Sequence, residues 1–402
     1  MPIEYPRLRN IEAVPVPGRG LFAVRDASGL SGKTFLITPD ILFLLALFDG
    51  EHSLRDIQVA YTRRFGNILA SSRLDEIIEQ LDANLLLETE RLEAYRRDIE
   101  AEFRASPVRE AAHAGSAYPA DAALLREQLD QYMRVAKVMG AAPSDKPVRG
   151  LVSPHIDFAR GGPCYGWAYS QLSGAEAADT YVILGTDHGA ARSPFAATRK
   201  SFVTPLGTAE VDGELLDEAA RLYRLDLFAG EFAHRGEHSI EFQVVWLQHI
   251  FGEVRILPIL CGAFHRVEGR VVDPSTVPAV VGLTRALRNA SAALGRRICI
   301  IAGADLAHVG PRFGDPQPAM GGRLKLIEAQ DRALLERAAA MDREGFVEAL
   351  RSDNDARHVC GFTAIYTLLA TLETGTGALL KYDQAADLQT QSVVTFASLT
   401  YT

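Results

Sequence analysis

What the chain has little of narrows the field first. Its four cysteines, at positions 164, 261, 299 and 360, include no CxxC pair, which removes the usual basis for a zinc ribbon or a thioredoxin-like redox motif. No stretch approaches the roughly 20 apolar residues that span a bilayer. Positive charge is in deficit: 42 Lys and Arg against 51 Asp and Glu give a net charge of −9, so a general nucleic-acid or anionic-membrane surface is not expected. The opening Met1-Pro-Ile-Glu-Tyr-Pro has neither a basic start nor an apolar core; no signal peptide is visible and the cytoplasm is the expected location. Internal repeats and low-complexity tracts are missing too.

What is there reads as an ordinary folded protein, 48% hydrophobic and 23% charged. At 402 residues it is too long for one core and predicts a smaller unit over 1–105 and a larger one over 106–402. In the first, a strand-like Phe35-Leu-Ile-Thr-Pro-Asp precedes a compact apolar run, 41–47. Ser53 is set to cap a helix carrying Leu54, Ile57, Tyr61 and Phe65 at helical spacing. A third helix over 71–81 leads into a strand-like Asn84-Leu-Leu-Leu-Glu, and the charged stretch 95–103 reads as a solvated linking helix. Strand, short helix, helix, helix, strand is the order of a winged helix-turn-helix. From Asp40 to Arg104 there are 14 acidic and 8 basic residues, whereas a DNA reader presents a basic face; peptide or protein contact is the better expectation. Through the stretch FLITPDILFLLALFDGEHSLRDI this unit resembles the PqqD-like family, peptide-binding winged helices of modified-peptide pathways.

From 108 onward β-rich runs at 151–153, 181–185, 254–260 and 298–303 alternate with helical stretches at 240–250, 276–294 and 324–340. That alternation predicts an α/β domain with a central mixed sheet flanked by helices on both faces. Three strand-like runs carry residues that can ligate a metal: Arg149-Gly-Leu-Val-Ser-Pro-His155, Thr180-Tyr-Val-Ile-Leu-Gly-Thr-Asp-His188 and Arg357-His-Val-Cys360-Gly361. In an open α/β sheet the carboxyl ends of the strands line a crevice where ligands bind. Two imidazoles and a thiolate meeting there would suit Fe(II), Zn(II) or Cu better than Mg or Ca. The bland alternative for His155 is a loop cap. Asp157 is a candidate hydrogen-bond partner for an imidazole.

Ala302-Gly-Ala-Asp305-Leu-Ala-His308 supplies an acid and a histidine three apart, on one side if a helical turn follows the strand. In Glu237-His238-Ser-Ile-Glu241 the acids read as N-terminal capping of a helix, and HExxH is absent. Cys360 precedes a helix, whose positive end favours a thiolate; a nucleophile with His358 or His308 as base stays open beside the metal reading. Cys261 and Cys299 sit in apolar runs and should be buried in strands. Cys164 is a candidate neighbour of the site.

Arg109-Glu-Ala-Ala-His113-Ala-Gly115-Ser-Ala-Tyr118, Pro154-His155, Gly185-Thr-Asp-His188, Glu237-His-Ser-Ile-Glu241, Asp305-Leu-Ala-His308-Val-Gly-Pro-Arg-Phe313 and Cys360-Gly361 follow one another over 108–402. This series resembles the MEMO family, also named AmmeMemoRadiSam system protein B. The resemblance implies a fold like the class III extradiol dioxygenases. It implies Fe(II) held by His155, His188 and Cys360, with Cu or Zn as other occupants. His308 matches the acid/base histidine, and Asp305 an acid that contacts substrate or a ligand. It further implies an O2-dependent oxidoreductase acting on a vicinal-diol aromatic or similar chelating substrate, and a radical-SAM enzyme as partner. The other readings are a non-catalytic peptide- or protein-binding partner of that enzyme, using residues 1–105, and a Cys-nucleophile hydrolase. Two positions depart from the family pattern: Pro-His-Ala-Gly-Tyr is here Pro154-His155-Ile156-Asp157-Phe158, and a second histidine after His188 is replaced by Gly189.

Overall fold

A computed structural model describes residues 3–16, 18–26, 30–189 and 193–402; Met1 and Pro2, read above for a leader, lie outside them. The chain divides into two compact units, Met1–Ala105 and Ser106–Thr402. In the first, an antiparallel sheet of Ile11–Val16, Leu21–Asp26 and Thr34–Ile37 precedes helices Pro39–Leu45, Leu54–Phe65, Ser71–Ala83 and Glu90–Ala105. Ser53 caps the second helix in a reciprocal box with Asp56. Ile57, fully buried, packs with Leu44, Phe48, Leu74 and Ile78.

Two expectations for this unit are corrected, and two strands go beyond them. The first two strands were not anticipated, because most residues of Ile11–Val16 are exposed and give no alternation. The strand expected at 84–88 is a single bridge between Leu87 and Leu8; Leu85 has φ +60°, which breaks extended geometry there. The helix expected at 95–103 runs Glu90–Ala105 and is not solvated all round, burying Leu92, Ile99 and Phe103.

The second unit is an α/β structure with a large mixed sheet. Its strands near the site, in chain order, are β1 (Gly150–Ser153), β2 (Thr180–Thr186), β3 (Arg255–Cys261), β4 (Ile298–Gly303), β5 (Asp305–Val309) and β6 (Ser392–Tyr401). Side by side they run β5-β6-β1-β4-β2-β3. β1, β4, β2 and β3 are parallel, whereas β6 is antiparallel to both β1 and β5. The strands read as near-continuous apolar runs because both faces are covered. Alternate residues go to opposite sides. Val152, Val182, Leu184 and Ile300 join one core, while Leu151, Tyr181, Ile183 and Ile301 join the other. Cys261 and Cys299 are buried strand residues as expected.

Four helices frame the site: α1 (Phe158–Ser170), α2 (His238–Phe251), α3 (Gly322–Ala339) and α4 (Phe362–Leu372). Among the described residues, no helix is long and apolar enough to cross a membrane.

Candidate metal centre

Since β1, β4 and β2 run parallel, their carboxyl ends share one edge, and the residues beyond them meet there. His155 follows β1 and His188 follows β2. Cys360, expected at the end of a strand-like run, lies instead on the irregular loop that opens α4. Gly361 permits that approach: its N–H donates to the Asp305 carbonyl at 3.0 Å, and a Cβ at this position would stand 2.4 Å from the same oxygen. The donor atoms of His155, His188 and Cys360 all lie within 4.8 Å of one another. Cys360 Sγ is 3.3 Å from His155 Nε2. Nitrogen and sulfur on one metal, at about 2.1 and 2.3 Å, stand roughly 3.1–3.6 Å apart for angles of 90–109°, so this donor set fits such an ion.

Each imidazole has its remaining nitrogen held. His155 Nδ1–H donates to the Gly303 carbonyl at 2.9 Å, and His188 Nδ1 meets Glu237 Oε2 at 3.0 Å. Such partners fix ring orientation and leave Nε2 as the donor. Glu237 caps α2 as expected, its Oε1 accepting the His238 and Ser239 amides at 2.8 and 2.9 Å; its second task, orienting His188, was missed. Asp157 is not an imidazole partner. It caps α1, accepting the Arg160 amide at 3.1 Å. Asp305 holds the backbone instead, accepting the His155 amide at 2.8 Å with its other oxygen 3.6 Å from His155 Nε2.

The helical turn expected after Ala302-Gly-Ala is not formed: Asp305 and His308 lie on β5. Residues three apart on a regular strand face opposite sides, yet both line the same pocket. A bulge explains it. Asp305 pairs with Phe396 and His308 with Val394, so two residues of β5 oppose the single Thr395 of β6. The extra residue flips the parity and turns His308 inward.

Charge follows from these contacts. Burial alone would push the Cys360 thiol up, but His155 and His308 beside it hold it well below its ordinary value. For His155 burial pulls downward, while Asp305 and the Cys360 thiolate prevail and raise it to about 9. His188 is likewise raised against burial, by Glu237 and Cys360. His358, considered as a base for the thiol, turns its Nδ1 to the His308 carbonyl at 3.3 Å. Among the described residues no hydrogen bond joins it to Cys360. Cys164 is buried in α1, its sulfur 3.7 Å from Ser398 Oγ.

A cavity of about 320 Å³ opens at the cluster, with Ile156, Phe242, Phe313 and Val394 as apolar walls and His308, Arg160 and Arg312 among its polar groups. His113 and His238 also line it, and sequence reasoning gave neither a role. His238 stacks on His188 with centroids 4.9 Å apart and planes at 16°. Its Nδ1 is 3.1 Å from Glu237 Oε1. The available signal was a histidine between two acids at a helix start. Behind this wall Glu241 is fully buried, paired with Arg109 and bonded by the Tyr118 hydroxyl and, at 3.0 Å each, the Ala112 and His113 amides. Arg109 also donates to the carbonyls of His234 and Glu237 at 2.9 and 2.7 Å. Residues 109–118 are thereby strapped onto α2.

His234, in the turn before α2, is buried, and Nε2–H donates to the Ala196 carbonyl at 2.9 Å. Burial pulls its pKa down to about 4. A lowered histidine stays neutral in the folded chain while the unfolded one protonates. Its contribution is therefore complete above about pH 6.5 and is lost between there and pH 4, roughly 3 kcal/mol in all. Urea unfolding across this range should show the slope in wild type and a flatter profile in His234→Gln.

An α/β protein whose parallel strands end at a cluster of two histidines and one cysteine is the class that fold and site define. The chain belongs to the Memo family: the family profile described as Memo-like protein matches residues 109–400. It is similar to a MEMO1 family protein of Aquifex aeolicus, 29% identical over 401 residues that take in 98% of this chain and 99% of the relative. MEMO1 family proteins of Thermococcus kodakarensis and Methanopyrus kandleri are 31% and 30% identical over 307 and 304 residues, 73% of this chain and 99% and 98% of theirs. Those two are matched nearly end to end by a share of this chain about as large as its second unit, whereas the Aquifex protein is matched over both.

Proposed function

We propose that residues 106–402 form a non-haem metal protein, Fe(II) first with Cu or Zn as other occupants, held by His155, His188 and Cys360. The observation that carries this reading is the convergence of three donors within 4.8 Å with both imidazoles oriented from behind by the Gly303 carbonyl and Glu237. Fe(II) in such a site would supply redox chemistry toward O2, and a thiolate donor, which donates more charge than a carboxylate, would shift its potential. This makes an O2-dependent oxidoreductase of the class III extradiol dioxygenase type the leading activity, on a vicinal-diol aromatic or similar chelating small molecule. In it Phe242, Phe313 and Ile156 would bury the substrate ring, and His308 Nε2 would take or return the hydroxyl proton. His308 is raised by the Cys360 thiolate against the pull of burial.

On a second reading the front unit would recognise a peptide as a PqqD-like winged helix, and residues 106–402 would partner a radical-SAM enzyme. The similarity to the Aquifex protein along nearly the whole of both chains supports a function that uses both units. On this second reading the metal is structural or regulatory.

Metal analysis of protein purified without oxygen tests the first reading: about one equivalent of iron is expected, and protein that also refuses added Fe(II) would sink it. Glu237→Gln keeps the size of the side chain and weakens the anionic acceptor on His188. Metal affinity should fall about 10- to 100-fold, read by competition with a chromophoric chelator.

A further inference from the structure

Behind the cluster lies a buried charge that nothing above uses. Asp331, on α3, is wholly shielded from solvent, and its carboxylate collects three side chains. Oδ1 accepts from Arg357 Nη1, and Oδ2 accepts from the Thr395 and Tyr382 hydroxyls at 2.6 and 3.0 Å. Two of these partners lead directly to the cluster.

Arg357 stands three residues before Cys360. Its Nε donates to Asp353 at 2.8 Å, and its carbonyl oxygen accepts the His308 amide at 2.7 Å. The chain around it is irregular: Asn354, Asp355 and His358 have φ of +53°, +55° and +51°, left-handed values that these residue types adopt more readily than others bearing a Cβ. Asp355 is a second anchor, with Oδ1 accepting the Val359 amide at 2.8 Å and Oδ2 lying 3.4 and 3.2 Å from His265 and Arg266. Thr395 leads to His308 instead. It is the residue opposite the bulge in β5, and its Oγ1 accepts the Ala307 amide at 2.9 Å, a group the bulge displaces from the ladder.

We propose that Asp331 is a positioning residue, fixing through Arg357 and Thr395 the two segments that present Cys360 and His308. A buried carboxylate–guanidinium pair is a poor source of stability, since apolar side chains of similar volume often do as well or better. What the charge adds is a defined placement of the loop and the bulge. The inference deepens the metal reading, on which one of its two readouts rests; the other needs no metal.

The test compares wild type with Asp331→Leu/Arg357→Met, which replaces the pair by apolar groups, and with Thr395→Val, which removes only the link to the bulge. The double variant should melt near the wild-type temperature. In crystals of the metal-free protein its Cys360 Sγ–His155 Nε2 separation, 3.3 Å here, should change by more than about 0.5 Å. Its Kd for Co(II) should rise about 10- to 100-fold, with a weaker thiolate-to-cobalt absorption band. Thr395→Val should reorient the His308 ring and leave the Cys360–His155 separation alone. Unchanged side-chain positions in both variants, with wild-type Co(II) affinity, would overturn the proposal whatever happens to melting temperature. A wild type that binds no Co(II) would sink the metal reading alone, and the crystallographic distances would then decide. Should the double variant fail to fold, the His308 orientation in Thr395→Val decides.

Discussion

On the proposed metal reading, Cys360→Ala is expected to abolish iron binding, the iron content of anaerobically purified protein falling from about one equivalent to a trace. Structural zinc sites with four ligands bind with about 10–16 kcal/mol, so one anionic ligand accounts for roughly 3 kcal/mol, a factor of about 100 to 1,000 in Kd. Cys360→Ser is the useful companion: similar in size, but a poor ligand for a soft metal, it should lose nearly as much. Iron retained at the wild-type level in both would remove Cys360 from the site and return it to the nucleophile reading. In that case alkylation by iodoacetamide, with loss of a hydrolytic activity, becomes the measurement of choice.

The second large effect concerns stability. Glu241→Ala removes the acceptor of the Tyr118 hydroxyl and of two backbone amides and strands the guanidinium of Arg109, which has no exposed side-chain surface. Breaking a buried ion pair from one side costs about 3–5 kcal/mol. Glu241→Ala should therefore lower the unfolding free energy by that amount, measured with urea. Arg109→Met/Glu241→Leu should recover much of it, since neither charge is then left alone. An equal loss in the single and the double variant would mean that the strap over 109–118 depends on the hydrogen bonds to Glu241 more than on the charge pair.

The sequence made the fold legible where one local signal decided the outcome. Apolar runs bounded by glycine and polar residues became β1, β2, β3 and β4, and Ser53 capped its helix as its type predicts. The strand Ile11–Val16 escaped because it is mostly exposed and exposure erases the period-two pattern. At the site, His155, His188 and Cys360 could be singled out because each follows or precedes an element whose end is readable. Their partners could not. Glu237 reaches His188 across 49 residues, Glu241 reaches Arg109 across 132, and Asp331 reaches Arg357 across 26; no local pattern marks such pairs. Asp157 shows the converse error, a plausible imidazole partner by proximity in sequence that serves a helix end instead. The bulge in β5 was invisible for a related reason, since it depends on which strand lies opposite.

The donors that meet at the sheet edge come from distant parts of the chain, with His155 and Cys360 separated by 205 positions. Bringing them together carries a loop-closure cost that is recovered only after the central strands have paired. A transition state with that closure incomplete would offer an ion at most isolated single ligands. Added metal should then act late, slowing unfolding while leaving the refolding rate nearly unchanged. On the proposed metal reading, the same order of events would let the chain fold first and be loaded afterwards.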